Sequence, residues 1–307
     1  MRVLVTGAAG FLGRRLVRRL GDRHEVTSVI LPRDAGAAGV PLSAVAADLS
    51  DEACLEALPG RVHVVCHLAA ELAPGTPEAP DEHAVWQRNV RAAYHLARYC
   101  ASQGVKKVIY TSSGSLYARP PRRLPVSEDA ELDPRGCYAA SKLIGEALLA
   151  SHLLPTQTVR LILRCSSIYG PGQRGDSVLP LQVRRTLRGE APVVFGSGMR
   201  SQDFVFVEDV CWVIERAIEH DFVRPLTILN VGSGRETSML ELARTVLRAF
   251  GDGRVHEPVF GPPDRQEGER FVLDITRAQE LLGYSPADLA ACLATHKSEF
   301  LAVSQPS

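Results

Sequence analysis

A serine, a tyrosine and a lysine form the pattern in this sequence that is best suited to moving protons. Ser113 ends a small polar run that follows a short β-branched stretch, which predicts a buried strand over 105–110. Tyr138 comes 25 positions later, and Lys142 follows in a stretch whose apolar residues predict a helix over 138–150. On that helix Tyr138 and Lys142 lie one turn apart on the same face. A hydroxyl, a phenol and an ammonium can therefore meet at one place.

This trio suits acid–base chemistry on an oxygen atom. A free tyrosine has a pKa of about 10, so about one part in a thousand is phenolate at neutral pH. The ammonium of Lys142 favours the phenolate, and lowering the pKa to about 7 requires about 4 kcal/mol. We predict that Lys142 lowers the pKa of Tyr138 and that Ser113 hydrogen-bonds the reacting oxygen of the substrate. The alternative is chance, because a tyrosine and a lysine at this spacing occur on many helices.

The elements that position the trio come from a chain of 307 residues, long enough for one large or two modest domains. Lys+Arg and Asp+Glu are both 35, so no charge excess points to nucleic acid or an anionic membrane as a partner. No apolar run reaches the length of about 18 residues that spans a bilayer, and the opening stretch is too short for a signal h-region. Seven scattered cysteines, without a CxxC pair, favour a cytoplasmic enzyme with free thiols.

The chain opens with a short apolar strand, a glycine-rich turn and a helix. Glycines let the backbone turn sharply and approach a pyrophosphate at the helix N-terminus, where unpaired N–H groups point outward. The GxxGxxG spacing differs from the usual GxGxxG fingerprint, but the strand before it and the helix after it make the signal strong. We therefore predict a dinucleotide site at Gly7, Gly10, Phe11, Leu12 and Gly13.

A strand predicted over 25–31 should end near the residue that contacts the adenosine ribose. An acidic residue there favours NAD, whereas an arginine accommodates the 2′-phosphate of NADP. Arg33 lies 20 residues beyond Gly13, and no acid stands directly at the strand end, so NADP is favoured. NAD is the alternative, with Arg33 as a loop residue and Asp34 contacting the ribose.

Two further predicted strands end at residues that can line the same cofactor. One ends at 46–49, which places Asp48 to meet the adenine, and the other covers 62–68, with small residues after it. Asn89 lies in a helical stretch that continues to 101 and can support the active-site backbone. These stretches add six residues to the predicted cofactor site: Asp48, Leu49, Leu68, Ala69, Ala70 and Asn89.

Two histidines on the strand over 62–68 do not predict a metal site. On a strand, His63 and His67 lie about 13 Å apart on one face, too far to share one ion.

The motifs named so far occur together in an order and spacing that resemble a known family. They are Thr6-Gly7-x-x-Gly10-Phe11-x-Gly13, His67-Leu68-Ala69-Ala70, Asn89-Val90, Thr111-Ser112-Ser113 and Tyr138-x-x-x-Lys142. The chain resembles the extended short-chain dehydrogenase/reductase family, in its NAD(P)-dependent nucleotide-sugar epimerase/dehydratase branch. The resemblance implies an α/β fold with a Rossmann-like doubly wound parallel sheet over 1–168, joined by a return segment near 203–232. It also implies a smaller α/β substrate domain over 169–307 and a homodimer through helices that include the Tyr138 helix.

The predicted substrate site departs from the family pattern in two places that matter for phosphate binding. Ser167 stands where the family commonly has asparagine, and Gln202 stands where a phosphate-binding arginine is common. Arg200 or Arg265 can compensate, because a guanidinium binds phosphate well; the alternative is that both are surface charges.

A third departure concerns the reaction itself. Dehydratases of the family carry an Asp-Glu pair where this chain has Gly114 and Ser115, and a serine hydroxyl is a poor proton donor at pH 7. Dehydration is therefore disfavoured. The remaining predictions are an epimerase or a 4-ketoreductase of a nucleotide-activated hexose. The alternatives are an NADPH-dependent reductase of a non-nucleotide carbonyl compound and a non-catalytic dinucleotide-binding protein.

Overall fold

The structure, a computed structural model, describes residues 1–37, 39–41, 43–72, 81–173 and 177–304. The backbone divides into two compact units. The first unit comprises Met1–Leu116, Leu132–Cys165 and Cys211–Leu229. The second comprises Tyr117–Glu131, Ser166–Val210 and the chain from Asn230 onward. The assignment of one part of the chain to the cofactor and the other to the substrate stays a prediction.

Short strands and longer helices alternate along the chain. The strands are β1 (Arg2–Thr6), β2 (Glu25–Ile30), β3 (Val45–Ala46), β4 (Val64–His67), β5 (Lys107–Ser113), β6 (Val159–Cys165), β7 (Ser167–Tyr169), β8 (Val193–Val194), β9 (Ser201–Gln202), β10 (Phe204–Phe206), β11 (Leu226–Val231), β12 (Thr237–Ser238) and β13 (Val259–Phe260). The helices are α1 (Phe11–Leu20), α2 (Cys54–Ala57), α3 (Glu82–Trp86), α4 (Ala92–Gln103), α5 (Gly136–His152), α6 (Val178–Leu187), α7 (Val207–Glu219), α8 (Met239–Phe250), α9 (Thr276–Leu282), α10 (Leu289–Thr295) and α11 (Lys297–Ser304).

A seven-stranded parallel sheet, in the order β11-β6-β5-β4-β1-β2-β3, forms the frame of the first unit. Its strands are short and almost wholly buried, as strands covered by helices on both faces must be. The predicted α/β fold with a Rossmann-like parallel sheet is thereby confirmed. Because β1, β4 and β5 are neighbours, the segments that follow them emerge at the same edge of the sheet.

The core of this unit lies between the sheet and the helices α4 and α5. Leu4, Val65 and Val108 extend from the strands, and Leu96 and Leu149 extend from the helices; each is at most 1 % exposed. Burial of one such side chain contributes about 2 kcal/mol. The packing fixes how deeply α5 lies against β5, and hence where its polar residues face.

Two predicted elements differ from the observed ones in ways that concern the site. The strand predicted over 105–110 runs from Lys107 to Ser113, so the serine is its last residue. The helical stretch after Asn89 is one part of a longer helical region in which a π-helical turn, Gln87–Arg91, joins α3 to α4. Asn89 is buried within that turn, and π turns of this kind occur often at functional sites.

The second unit is held together by a buried carboxylate. Asp203, between β9 and β10, is 1 % exposed. It accepts hydrogen bonds from Ser233 N (2.7 Å), Ser233 Oγ (2.8 Å), Ser166 Oγ, Gly234 N and Leu273 N (3.2 Å each). Ser238 caps α8 in this unit, because its Oγ accepts a hydrogen bond of 3.1 Å from Glu241 N. Among the described residues, no helix is both long and apolar enough to cross a membrane.

Candidate active site

The serine and the tyrosine of the predicted trio meet in the first unit. Ser113 is the last residue of β5, and its hydroxyl lies close enough to the phenol of Tyr138, on the first turn of α5, to lower the pKa of that phenol. A second hydroxyl joins them, since Ser115 Oγ lies 2.9 Å from Ser113 Oγ and Ser115 N donates to that same oxygen at 3.1 Å. Gly114, between the two serines, is buried. The end of β5 and the first turn of α5 thus bring hydroxyl groups into the same place.

Lys142 lies one turn further along α5, with 2 % of its surface exposed. Its ammonium is 4.4 Å from the centroid of the Tyr110 ring, within range of a cation–π interaction. The Tyr110 hydroxyl in turn donates a weak hydrogen bond of 3.4 Å to the Lys142 carbonyl. Gly145 makes this close packing possible, because a Cβ there would lie 2.2 Å from the Tyr110 hydroxyl.

Burial governs the protonation of this site. It raises the pKa of Tyr138 to about 12, with a smaller contribution from Cys165, and the hydrogen bond from Ser113 opposes the increase. Desolvation of the phenolate thus sets the direction of the shift in this structure, and the lowering effect of Lys142 on the pKa of Tyr138 stays a prediction. Desolvation also lowers the pKa of Lys142 to about 8. The ammonium thus remains largely charged at pH 7 and loses its proton close to the physiological range.

Asn89 connects the segment after β4 with α5. Its side chain accepts a hydrogen bond of 2.7 Å from Glu71 N, and its amide donates to Glu71 O at 3.0 Å and to Ser141 Oγ at 2.9 Å. Ser141 Oγ donates to the carbonyl of Tyr138 at 2.8 Å. The structure thus places Asn89 in a chain of hydrogen bonds that reaches the backbone of Tyr138.

Sequence reasoning missed a buried ion pair behind the trio. Arg164 on β6 donates to both carboxylate oxygens of Glu146 on α5, at 3.0 and 2.8 Å. The hydroxyl of Ser112 on β5 donates to the same carboxylate. The signal that could have revealed it is an acidic residue four positions after Lys142, since helix neighbours at that spacing share a face.

The glycine turn after β1 is closely packed. Gly7 has φ +68°, and a Cβ there would lie 2.7 Å from the backbone nitrogen of Ala69. A Cβ on Gly13 would lie 2.1 Å from the carbonyl oxygen of Gly7. Gly10 precedes α1 without a side-chain cap, and Phe11 and Leu12 are its first helical residues. An uncapped helix N-terminus at a turn without side chains fits the pyrophosphate of a dinucleotide.

The other predicted cofactor residues lie at the ends of neighbouring strands. Arg33 is in a short 3₁₀ turn, with 59 % of its side chain exposed and its guanidinium 3.9 Å from the Glu71 carboxylate. Asp48 accepts hydrogen bonds from Ser50 N (2.9 Å) and Ser50 Oγ (2.7 Å). Four more positions follow β3 or β4: Leu49 is buried, Leu68 and Ala69 are half-buried, and Ala70 is exposed. Their contact with a cofactor stays a prediction.

The histidines on and beside β4 have protein partners. His67 Nδ1 lies 2.7 Å from Thr6 Oγ1, and His63 Nδ1 accepts a hydrogen bond of 2.9 Å from Arg2 N. Burial, and to a smaller extent Lys142, lowers the pKa of His67 to about 3, so its ring is neutral at pH 7.

The four predicted substrate residues of the second unit form two groups. Ser167 Oγ donates to Gln202 Oε1 at 3.3 Å, so the two positions that depart from the family pattern contact each other. The guanidinium of Arg200 donates to Asp264 at 2.7 Å and to Gln266 at 3.2 Å. Arg265 lies in the same stretch and is exposed. Sequence reasoning also missed Arg119, whose guanidinium lies 3.9 Å from the centroid of the Phe271 ring.

A parallel sheet with a close-packed glycine turn after its first strand, and with a serine–tyrosine pair on the same unit as a buried lysine, is typical of dinucleotide-dependent enzymes. The model of the NAD dependent epimerase/dehydratase family matches residues 3–232. The chain belongs to this family, and it is an enzyme of the extended short-chain dehydrogenase/reductase type.

Individual relatives cover almost the whole chain. UDP-glucose 4-epimerase of Mycolicibacterium smegmatis is 35 % identical, over 93 % of this chain and 94 % of its own. A dTDP-glucose 4,6-dehydratase of Streptomyces antibioticus is 30 % identical, over 93 % and 88 %. Among solved structures, UDP-glucose 4-epimerase of Thermotoga maritima with UDP-glucose has a TM-score of 0.86 at 26 % identity, covering 99 % of this chain and 100 % of that one. MoeE5 in complex with UDP-glucose and NAD has a TM-score of 0.83 at 29 % identity, covering 98 % and 99 %.

Proposed function

We propose that this enzyme is an NAD-dependent 4-epimerase of a nucleotide-activated hexose, with Tyr138 as its acid/base. The observation that carries the proposal is that the Ser113 hydroxyl, where β5 ends, acts on the phenol of Tyr138, one turn of α5 before the buried Lys142. The relatives named UDP-glucose 4-epimerase support the substrate class. NAD, when bound at the glycine turn, supplies the acceptor that takes a hydride from the sugar carbon and returns it.

Three side chains of this enzyme transfer the proton and stabilise the charge that this transfer creates. Tyr138 takes the proton of the sugar hydroxyl as that carbon is oxidised, and returns it when the carbonyl is reduced. Ser113 holds the reacting oxygen through a hydrogen bond, and the ammonium of Lys142 stabilises the phenolate. Because the pKa of Tyr138 is about 12, poising it near neutrality requires about 7 kcal/mol of stabilisation. Assembly of the charged groups around the phenol must supply that energy.

The residues after Ser113 favour epimerisation over dehydration. Elimination of a hydroxyl from the sugar requires a general acid, and the dehydratase pattern supplies an acid pair at this place. Here the two positions are Gly114, which has no side chain, and Ser115, whose hydroxyl contacts Ser113 at 2.9 Å. A hydroxyl of such high pKa is a poor proton donor at pH 7.

NAD, rather than NADP, is the cofactor that we propose. MoeE5 and a UDP-glucuronic acid 4-epimerase of Bacillus cereus, both similar to this chain, are described in complex with NAD. The preference for NADP that Arg33 predicts is opposed locally, because the carboxylate of Glu71 lies 3.9 Å from its guanidinium and also pairs with Arg88. That carboxylate would repel a 2′-phosphate.

The purified protein tests the cofactor before any substrate is added. It is denatured, and the released dinucleotide is identified by chromatography and mass. We expect tightly held NAD⁺, together with interconversion of UDP-glucose and UDP-galactose without added cofactor. A protein that instead takes up and exchanges NADPH, and consumes one hydride per turnover, would be a 4-ketoreductase. A 27 % identical relative, the dTDP-4-dehydro-6-deoxy-D-allose reductase of Streptomyces bikiniensis, makes that the second candidate.

Tyr138→Phe tests the acid/base. We expect turnover to fall by about 10³-fold, because general acid–base catalysis typically contributes 10²–10⁴-fold. Binding of NAD should stay within about twofold, since the ring remains. Retained activity would contradict the assignment. The homodimer, the cytoplasmic location and the substrate contacts of Ser167, Arg200, Gln202 and Arg265 stay predictions.

A further inference from the structure

A buried ion pair, with one hydroxyl bound to it, joins the two elements that carry the predicted catalytic residues, α5 and β5, to the neighbouring strand β6. Glu146 on α5 is 5 % exposed and Arg164 on β6 is 3 % exposed. The pair is bidentate, with N–O distances of 3.0 and 2.8 Å, and the Ser112 hydroxyl on β5 donates to the same carboxylate. A buried pair of charges contributes little net stability compared with well-packed apolar residues. A contribution to stability therefore does not explain why this ion pair is present.

Each member of this cluster lies next to a residue of the candidate active site. Ser112 directly precedes Ser113, and Glu146 is one turn beyond Lys142 on α5. Arg164 is aligned with Ser112 across β5 and β6, just as Cys165 is aligned with Ser113. The bidentate geometry fixes both distance and orientation between α5 and the two strands.

We propose that Glu146, held by Arg164 and Ser112, is a positioning residue for the reaction, whose carboxylate keeps the Lys142 ammonium charged and α5 in register with the end of β5. This inference rests on the proposed function in that it assigns the charge of Lys142 a part in turnover. The role of Glu146 in holding that charge can be measured without any reaction.

The groups around Lys142 identify Glu146 as the anion that acts on it. Those that act on it from the neighbouring elements are Glu146 on α5, Tyr110 on β5, Cys165 on β6 and His67 on β4, and Arg164 on β6 binds Glu146. Burial lowers the pKa of Lys142 to about 8, and Cys165 and Glu146 oppose that decrease. Burial raises the pKa of Cys165 to about 12, so this thiol is neutral at pH 7. The carboxylate of Glu146 is thus the negative charge present in the working range.

Glu146→Gln removes the charge and keeps the shape. Loss of an anion lowers the pKa of Lys142, so the ammonium deprotonates at lower pH. We expect the alkaline limb of the kcat profile to move down by about one pH unit, which is a tenfold change in the ratio of charged to neutral Lys142 at a given pH. The chain has four lysines, at 106, 107, 142 and 297. The ¹³Cε NMR titration of Lys142, assigned by its absence in Lys142→Met, should move by the same amount in protein without substrate.

A second variant keeps the test decisive if Glu146→Gln misfolds. Misfolding is a risk because Glu146→Gln removes the carboxylate charge that balances the Arg164 guanidinium. The double variant E146L/R164L replaces the pair with apolar residues, which is often neutral for stability. We expect it to fold and to show a smaller decrease in the pKa of Lys142 than Glu146→Gln, because the positive charge of Arg164 is removed together with the carboxylate. A folded variant in which Lys142 titrates as in the wild type would overturn the inference. A shifted titration in a chain that lacks epimerase activity would leave this inference standing and refute the proposed function.

Discussion

Two lysines of the first unit are buried, and they are held in different ways. Lys107 begins β5, and its ammonium donates hydrogen bonds to the carbonyls of Ala217 (2.8 Å), Ile218 (2.9 Å) and His220 (2.7 Å), at the C-terminal end of α7. Lys142 lies on α5 with its ammonium against the Tyr110 ring. Burial lowers the pKa of both. The three carbonyls use all three N–H donors of the Lys107 ammonium, so Lys107 caps the C-terminal end of α7. The Lys142 ammonium lies over a ring instead, and we assign it to the reaction.

The largest effect that separates the two lysines should be on catalysis. Lys142→Met removes the charge that stabilises the phenolate of Tyr138, so we expect kcat to fall by about 10³-fold. The matched control, Lys107→Met, should keep kcat within about threefold, as long as the protein is folded. Steady-state kinetics below the unfolding temperature of each variant make the comparison. Equal losses of kcat in the two variants would contradict the different roles that we assign to Lys142 and Lys107.

The pH dependence of the free energy of unfolding should show how much the buried charge on Lys142 destabilises the folded protein. Its folded-state pKa of about 8 lies below the unfolded value of 10.5, so the unfolded chain binds more protons between these values. Stability therefore rises with pH across this window, by about 3 kcal/mol from this group. We expect Lys142→Met to be more stable than the wild type at pH 7, and the difference to shrink as the pH approaches 10. Urea unfolding at several pH values measures it, and a constant difference would contradict the burial argument.

Stability should change in the opposite direction at the other lysine. Lys107→Met leaves three carbonyls at the end of α7 without their charged donor, and we expect a loss of about 3 kcal/mol in the free energy of unfolding at pH 7. Urea unfolding of the two methionine variants side by side tests the sign. If Lys107→Met were as stable as the wild type, the three hydrogen bonds would not be what retains this lysine.

Short-range patterns revealed the parts of the site that lie close together in sequence. The glycine turn, the end of β5 and the spacing of Tyr138 and Lys142 each depend on a few neighbouring residues, so strand, turn and helix signals were sufficient. The Rossmann-like parallel sheet followed from the family resemblance, and the structure confirms that fold and supplies the order of its strands.

Properties that depend on packing could not be predicted in this way. The pKa of Tyr138 rises because of the burial of its ring, which no local pattern gives. The partner of Glu146 is Arg164, on a strand whose alignment with β5 is known only once the sheet is assembled. The carbonyls that hold Lys107 are more than a hundred positions away. Each of these is a long-range contact, and long-range contacts dominate a parallel sheet.

The single carboxylate of Asp203 has a consequence for how the second unit can diverge. Its two oxygens tie together three stretches that are remote in sequence, at Ser166, at Ser233 and Gly234, and at Leu273. A Cβ on Gly232 would lie 2.4 Å from one of those oxygens, so this neighbour must also be kept. Loops anchored at a common point can change length and composition while their ends stay in place. Whole loops of this unit can thus be exchanged, with Asp203 and Gly232 as the pair that such a chimera has to retain.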